Sequence, residues 1–447
     1  MTGRLAFAIA LLLAMATPAL ASPAAEPSQS ASFAPATTWF FAEGSTQPPF
    51  DTWFLIENSG PIAANVTFTF QIQGNGTVTR SFVVGPTSRF SVFANQVIPN
   101  VAFSTRIDSS QPVFAERSMF VNFDGTDVPG ISSPQTTWLF SEGSSQNPFQ
   151  TWLLLQNPNS TSATATITYF LLGGGTPATQ VLTLPPTSRT SVFVNQILPN
   201  QAFSVRVDSS LPTVVEESMF RFPGNAAAAT AGANAPGKTW FFADAKTGNH
   251  TVIGVSRPFD SFLLLQNPNP TPVTATVTLY ESNGAVVTVT QGLPPNSRQT
   301  LFLNQVLPSA SMGVGVSATG NIVVQRSMFF GTEPRGAMGK VGASALATQW
   351  FLAEGSTQQP FHEFIFILNP NSTSMTAHLD FLLPSGQVVS RDVAVPANTP
   401  LSVDVNSLVV NSPVSARITT SLPSVVERQM FFVKNGSLGG TDALGIR

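Results

Sequence analysis

Apolar residues in this chain alternate with Ser, Thr, Asn and Gln over short runs, and no stretch shows the period of an amphipathic helix. The clearest run, Ala163–Phe170, is rich in β-branched residues and is followed by the turn Gly173–Gly175. Gln180–Leu184 then returns as a second strand and ends at a pair of prolines. Continued to Phe220, the pattern predicts about seven strands with a turn every 8–12 residues or so, which is typical of an antiparallel β-sandwich.

This run of strands occurs four times, at intervals of about 100 residues. Each copy opens on a Trp followed four residues later by an acidic residue, and each closes on a Met-Phe strand. The opening Trp residues are Trp39, Trp138, Trp240 and Trp350, and the closing Met residues are Met119, Met219, Met328 and Met430. The chain is therefore predicted to be all-β, with four tandem Ig-like antiparallel β-sandwich domains.

A four-bladed propeller is the second interpretation of the repeat. A propeller blade takes about 40–50 residues, roughly half of the observed period, so this interpretation fits less well. A domain of about 100 residues can bury a core of its own, so the units do not need to close into a ring.

The predicted domain boundaries follow from the repeat. Repeat 1 covers residues 37–121, repeat 2 covers 136–222, repeat 3 covers 238–330 with an insertion at 245–258, and repeat 4 covers 348–447. The Gly-, Ala- and Pro-rich stretches 122–135, 223–237 and 331–347 are interpreted as linkers. Each Trp strand comes directly after a linker, a position that favours contact with the preceding unit.

The first residues are typical of a secretory signal peptide. Arg4 precedes the apolar run Leu5–Ala16, and Ala19–Ala21 forms an A-x-A cleavage site. We therefore predict a signal peptide at residues 1–21, a flexible leader at 22–36, and a protein that is secreted and is extracellular or associated with the cell surface. The apolar run is shorter than the roughly 20 residues that cross a bilayer, so no membrane span is predicted.

Composition and charge exclude several classes of function. Charged residues make up 10% of the chain, the net charge is −3 and cysteine is absent. So few cations argue against nucleic acid as a partner. The lack of cysteine excludes disulfides, thiolate metal sites and a cysteine nucleophile. None of the three histidines recurs between repeats, and no hydrolase, zinc or nucleotide motif is present, so we predict no catalytic, metal-binding or cofactor-binding residue and no cofactor. A glycosidase-type pair of carboxylates stays open.

The acidic residue of the Trp motif has two interpretations. Glu43, Glu142, Asp244 and Glu354 could hold a ligand such as calcium or a glycan, or each could pair with an Arg of its own unit. Calcium is disfavoured because no dense run of carboxylates is present. The structural interpretation is preferred, and its candidate partners are Arg89, Arg106, Arg117, Arg189, Arg206, Arg298, Arg326, Arg417 and Arg428.

The repeated aromatic residues pose a similar choice between sugar stacking and core packing. The four opening Trp residues occupy the same strand of every unit, so core filling is the simpler hypothesis. Trp53 and Trp152 are replaced by Phe262 and Phe364 in the later repeats, an exchange that a core tolerates. We therefore treat Trp39, Trp138, Trp240 and Trp350 as repeated structural positions.

Taken together, the W-x-x-[AS]-E-G opening, the L-L-L-Q-N-P-N turn, the P-x-S-R turn and the E-R-S-M-F closing strand resemble tandem repeats of secreted bacterial surface proteins, a domain family of unknown function. The resemblance covers about residues 37–447 and implies an accessory or structural extracellular module. Unit 3 departs from it at Asp244-Ala245, and unit 4 at Asn398–Pro400.

The expected function is therefore a secreted, non-enzymatic modular scaffold with a structural, spacer or adhesive role at the bacterial cell surface. The alternative is a multivalent carbohydrate- or cell-wall-binding protein that gains affinity from repeated weak sites. The partners expected from either function are a cell-wall polymer, a polysaccharide or other surface proteins.

Overall fold

The computed structural model describes residues 35–221, 226–333 and 335–447. These residues form four β-sandwich units that follow one another along the chain, each with seven strands in antiparallel pairing. This confirms the predicted all-β class with four tandem β-sandwich domains. The predicted signal peptide, and the predicted leader apart from its last two residues, lie outside the described residues.

The strands of the first two units have matching lengths. Unit 1 contains β1 (Ala36–Phe41), β2 (Phe50–Asn58), β3 (Ala64–Ile72), β4 (Thr77–Val84), β5 (Ser88–Phe93), β6 (Phe103–Val121) and β7 (Asp124–Pro129), with the one-turn helix α1 (Ala94–Val97) between β5 and β6. Unit 2 contains β8 (Gln135–Phe140), β9 (Phe149–Asn157), β10 (Ala163–Leu171), β11 (Ala178–Leu184), β12 (Ser188–Phe193), β13 (Phe203–Arg221) and β14 (Ala226–Ala231), with helix α2 (Val194–Ile197) after β12.

The last two units repeat this order with small variations. Unit 3 contains β15 (Gly237–Val252), β16 (Val255–Asn267), β17 (Val273–Glu281), β18 (Val286–Leu293), β19 (Ser297–Phe302), β20 (Ala310–Phe330) and β21 (Gly336–Val341). Unit 4 contains β22 (Ala347–Leu352), β23 (His362–Asn369), β24 (Met375–Leu382), β25 (Val388–Val395), β26 (Thr399–Asp404), β27 (Ser415–Lys434) and β28 (Ser437–Leu444). A 3₁₀ turn replaces the short helix in each, at Leu303–Gln305 and Val405–Ser407.

One long strand holds the two faces of each sandwich together. In unit 1 the first half of β6 pairs with β1 and β3, and its second half pairs with β2 and β7. β4 completes the first face beside β3, and β5 completes the second face beside β2. The strands β13, β20 and β27 have the same role in the other units.

Period-two alternation sends one side of each strand into the core between the two faces. Along β3, Val66, Phe68 and Phe70 are buried, whereas Thr67 and Thr69 between them are half-buried. The insertion predicted in repeat 3 continues the same geometry, because β15 and β16 extend as a hairpin closed by Ile253 and Gly254, both at positive φ.

A buried asparagine organises the Asn/Pro turn that marks each repeat. The Asn157 side-chain amide donates hydrogen bonds to the carbonyl oxygens of Thr161, Leu184 and Pro185 at 2.9, 3.1 and 2.9 Å. Asn58, Asn267 and Asn369 make the same three bonds in their own units. This asparagine therefore ties the turn to the end of the neighbouring hairpin.

The stretches interpreted as linkers are not simple connections. The described parts of 122–135, 223–237 and 331–347 include β7, β14 and β21, each paired with the long strand of its own unit. These three strands and β28 pack side by side around a common axis, β7 against β14 and β28, and β21 against the same two. Small residues are required where four strands crowd together, and they give these strands the composition of a linker.

The four units close into a ring, which the sequence did not require. Unit 4 packs on unit 1, where the Phe351 ring stacks on Phe114 with 4.0 Å between ring centroids. The Trp strand of each unit also packs on the following unit. Trp39 and Phe41 lie in the core of unit 1, whereas Phe40 joins the core of unit 2. Alternation along the strand gives each Trp strand these two faces.

Candidate functional site at the unit junctions

The four repeated Trp residues are buried in the cores of their own units, and Trp138, Trp240 and Trp350 also border one cavity near the ring axis. Their exposed fractions are 0% for Trp39 and Trp350 and 2% for Trp138 and Trp240. Each indole N–H donates to a backbone carbonyl oxygen, for example from Trp39 to Val113 at 3.0 Å. Indoles held in this way fill cores and cannot stack on a sugar.

The acidic residue of each Trp motif lies at the junction with the following unit. Ser218 of unit 2 donates a hydrogen bond to Glu43, and Ser327 of unit 3 donates one to Glu142. Gln429 of unit 4 donates to Asp244 at 2.9 Å, and Arg89 of unit 1 lies 3.6 Å from Glu354. These four acidic residues are 0–8% exposed. Their contacts therefore bind each unit to the next.

A second acidic residue on the closing strand completes three junctions; it precedes Arg117 in unit 1, Glu217 in unit 2 and Arg428 in unit 4. Glu216 lies 2.6 Å from Arg117 of unit 1, Glu427 lies 2.7 Å from Arg326 of unit 3, and Glu116 lies 3.0 Å from Arg428 of unit 4. The other oxygen of each Glu accepts a backbone N–H bond from the preceding unit's Trp motif, from Ala42, Ala243 and Ala353. These glutamates were not among the candidate residues from the sequence, although they occupy the same position of the closing strand in units 1, 2 and 4.

The paired arginines stay charged although they are fully buried. Burial acts to lower the pKa of Arg117, but Glu216 and Glu43 outweigh it and raise that pKa. The pKa of Arg428 is raised in the same way against burial, by Asp127 and Glu116 first. Each arginine also donates to a carbonyl oxygen of its own Trp motif, Arg117 to Glu43 and Arg428 to Glu354. These are charge-assisted bonds of the strong class.

Not every candidate arginine takes part. Arg106 and Arg206 pair with Asp108 and Asp208 at the surface, with side chains that are 45% and 42% exposed. Arg417 pairs with Asp380 on the outer face of unit 4. Arg89, Arg189 and Arg298 of the P-x-S-R turns instead donate across a junction to the carbonyl oxygens of Gly355, Gly44 and Gly143. In a repeat, the sequence cannot tell a unit's own arginine from its neighbour's.

The junction between units 2 and 3 has a different pair. Glu217 occupies the arginine position of unit 2, and Gln325 occupies the matching glutamate position of unit 3. The Gln325 amide donates to Glu217 at 3.4 Å, and its oxygen accepts backbone N–H bonds from Ser141 and Glu142. Burial and the nearby Glu142 raise the pKa of Glu217 well above its usual range. Both members of the usual ion pair have changed together.

Restoring this pair should show coupling between its two residues. Gln325→Glu alone places a carboxylate beside Glu217 and Glu142 and should lower the melting temperature of the full chain. Adding Glu217→Arg recreates the pair of the other junctions and should recover the loss, with a coupling energy of about 0.5–3 kcal/mol. Urea unfolding of the four members of the cycle measures this term. Additive effects of the two substitutions would contradict the assignment.

At the junction between units 3 and 4, one departure from the repeat compensates for another. Unit 4 has Pro400 at the position of the P-x-S-R arginine, and unit 3 has Lys246 two residues after its acidic residue. The Lys246 ammonium lies 2.5 Å from the Asp244 carboxylate and 4.1 Å from the centroid of the Phe366 ring of unit 4. A lysine from one side of the junction thus replaces the arginine missing from the other side.

The ring axis is closed at one end by a single carboxylate. Asp124, at the start of β7, is fully buried and accepts backbone N–H bonds from Ala227, Ala337 and Gly440 at 3.1, 2.9 and 2.8 Å. The backbone N–H of Gly125 bonds to it as well. Burial raises the pKa of Asp124 to about 7, and the four N–H bonds oppose this rise. Its donors occupy matching positions in the four units, one from each.

A cavity of about 480 Å³ lies near the other end of the central strands. Its lining includes three of the repeated indole residues, Trp138, Trp240 and Trp350, together with Asp127, Lys340, Asp442 and the connection 234–237. The Lys340 ammonium lies 3.0 Å from Asp442 and 3.5 Å from Glu427. Lys340, Asp442 and Glu427 are thus engaged with one another in the same junction network.

Within residues 35–221, 226–333 and 335–447, no group of three or more His, Asp or Glu is arranged to hold a metal ion. His378 lies on the outer face of unit 4, 2.6 Å from Asp392 and 3.1 Å from Asp380. The Ser390 hydroxyl donates to Asp380 and not to this imidazole. Among the helices of the described residues, none has the length and apolarity to cross a membrane.

No family model matches the chain, and no curated protein matches it. Among solved structures it is similar to Thermotoga maritima 1070, with 19% identity over 22% of this chain and 92% of that one and a TM-score of 0.21. For the Anabaena sensory rhodopsin transducer the values are 22% identity, 19% and 87% coverage, and a TM-score of 0.17. A tetra-tandem repeat in the extending region of a large adhesion protein is 14% identical over 87% of this chain and 92% of that one, with a TM-score of 0.11. Similarities this weak do not transfer a function.

Proposed function

We propose that the protein is a secreted, non-enzymatic scaffold with a structural or adhesive role at a bacterial cell surface. One observation carries this proposal: the charged residues that recur at matching positions of the units are buried at junctions and hold the ring closed. The repeat therefore preserves a shape, and the outer surface is left for contact with other molecules.

The sequence supports an extracellular location for this scaffold. The signal-peptide pattern at residues 1–21, the complete lack of cysteine and the resemblance to repeats of secreted bacterial surface proteins all agree with export. A cysteine-free chain does not depend on the redox state of its surroundings. A neutral surface rich in Ser, Thr, Asn and Gln suits broad contact with polymers or with other proteins.

Ring closure distinguishes an extended spacer from a compact module. Unit 4 contacts unit 1 through the Phe351–Phe114 stack and through the Arg89 side chain, which donates to the Gly355 carbonyl oxygen at 3.2 Å. The first and last units therefore lie side by side. An extended spacer needs its ends far apart, so the closed ring favours a compact display or adhesion module over a spacer.

Retention on cell envelopes tests the proposed function. The mature chain is incubated with washed envelopes of the bacterium that encodes it, and both bound protein and released reducing sugar are measured. We expect the chain to sediment with the envelopes without releasing soluble sugar. An unrelated secreted protein of similar size and net charge serves as the control. Release of sugar above that control, or failure to sediment, would overturn the proposal.

A further inference from the structure

A groove of about 730 Å³ lies between units 1 and 2 and is separate from the axial cavity. Unit 1 contributes exposed carboxamides from its loops, among them Gln73, Asn75 and Asn100. Unit 2 contributes Gln150 and the half-buried indole of Trp152. The volume lies within the range of about 300–1,000 Å³ that small-molecule sites occupy.

The groove is not a general result of ring closure. At the next junction, the β10–β11 hairpin reaches across, and the Gly173 N–H donates to the carbonyl oxygen of Arg298 at 3.1 Å. At the first junction, the matching hairpin touches unit 2 through the Gln73 side chain, which accepts a hydrogen bond from Ser191 at 3.0 Å. The β3–β4 hairpin of unit 1 thus bonds to unit 2 through the side chains of Gln71 and Gln73, whereas the β10–β11 hairpin of unit 2 bonds to unit 3 through its main chain.

The Trp152 ring is held in a fixed orientation beside the groove. It stacks on Phe193 with 4.5 Å between centroids and an angle of 25° between the ring planes. A flat, rigid aromatic surface of this kind is suited to the apolar face of a sugar ring and loses little conformational entropy on binding. Neighbouring carboxamides both donate and accept hydrogen bonds, as hydroxyl groups do.

Charge determines which polymer fits. The ionised side chains that line the groove are Glu43 and Arg189, which have opposite signs and are both buried. Arg189 is held by the carbonyl oxygens of Gly44 and Phe103, and its Nε has no hydrogen-bond partner within the described part of the chain. With these charges balanced, the groove offers no net attraction to a polyanion. An uncharged ligand rich in hydroxyl groups matches it best.

We propose that this groove binds a segment of a neutral polysaccharide, with one sugar ring on Trp152 and its hydroxyl groups bonded by the surrounding carboxamides. The proposal rests on the extracellular setting of the proposed function and gives the scaffold a ligand. It differs from the expectation of four repeated weak sites, because the space is open between units 1 and 2 and bridged between units 2 and 3.

Binding of soluble neutral hexasaccharides to the full mature chain tests this site. The probes are β-1,4-linked glucose, α-1,4-linked glucose and β-1,4-linked N-acetylglucosamine, titrated to millimolar concentration by calorimetry. We expect at least one of them to bind. Trp152→Ala should weaken this binding about tenfold or more, the size expected for loss of a stacked ring. Trp53→Ala, at the matching position of unit 1, should leave it unchanged.

Trp152→Phe is the control for misfolding, because units 3 and 4 carry Phe at this position and fold in the same way. It should keep the melting temperature and part of the affinity.

Equal losses from Trp152→Ala and Trp53→Ala would overturn the assignment to this groove, as would preference for an acidic oligosaccharide. If no neutral probe binds while the chain still sediments with envelopes, the groove proposal fails and the scaffold stands. If a probe binds through Trp152 but the chain does not sediment, the groove proposal stands and the scaffold fails.

Discussion

Replacing Arg428 by Met should lower the free energy of unfolding by about 3–5 kcal/mol, the cost of leaving buried charges without their partner. Arg428 is fully buried and contacts Glu116 at 3.0 Å, Asp127, and the carbonyl oxygen of Glu354. Met keeps most of the side-chain volume, so the loss reports on charge and not on a cavity. Units 4 and 1 are not consecutive in the chain, so no covalent connection supports this junction and its ion pairs and ring contacts hold it closed. Urea unfolding of the full chain measures the effect.

Arg206→Met is the matched control for this substitution. Arg206 also pairs with an aspartate, Asp208, at 2.7 Å, but both side chains are about 40% exposed. A pair in contact with water contributes about 0–1 kcal/mol, so this variant should unfold close to the wild type. Similar losses from both variants would show that burial at the junction does not set the cost. A second variant, Arg428→Lys, should recover part of the stability because it keeps the charge.

Raising the pH from 5 to 8.5 should destabilise the ring by several kcal/mol, since each pKa unit of difference between folded and unfolded states corresponds to about 1.4 kcal/mol. Burial raises the pKa of Asp124 to about 7 and that of Glu363 to about 8. Burial also raises the pKa of Glu57 and Glu217 well above the usual range. In the unfolded chain these groups lose their protons near pH 4.

Between pH 4 and pH 8 the folded chain therefore holds protons that the unfolded chain has released. Rising pH then favours unfolding, and the loss of stability is complete once the folded groups have ionised. The measurement is the melting temperature at half-unit steps of pH. Glu363→Gln removes one of these protons and should flatten the dependence above pH 5. A melting temperature that stays level or rises from pH 5 to pH 8.5 would contradict this assignment of protons.

The repeat, the β class and the positions of the strands were readable from the sequence, because they depend on local alternation and on turns. The Gly173–Gly175 turn and the strands on either side of it lie where the pattern placed them. Paired landmarks such as Trp39 and Met119 marked the first and last long-range contacts of a unit. Each of these signals is contained within one unit.

Ring closure was not readable, for two physical reasons. The central strands consist of small residues such as those at 226–229, because four backbones approach one axis, and the same composition is typical of flexible linkers. Partners across a junction also look identical to partners within a unit when every unit carries the same residue. The sequence makes Arg89 a candidate partner for Glu43 of its own unit, yet Arg89 lies beside Glu354 of unit 4. Two paired departures from the repeat do point across a junction, Glu217 with Gln325 and Lys246 with Pro400.

The carboxylate on the ring axis has a consequence for how such a protein can be built. Asp124 serves all four units at once, and the matching residues are Ala226, Gly336 and Gly439. Four separate copies of unit 1 assembled into a ring would bring four carboxylates to one buried point, and their mutual repulsion would oppose assembly. When the units are joined in one polypeptide, one unit can carry a residue that the other three lack. Covalent fusion thereby permits an axial group that a symmetric homotetramer would exclude.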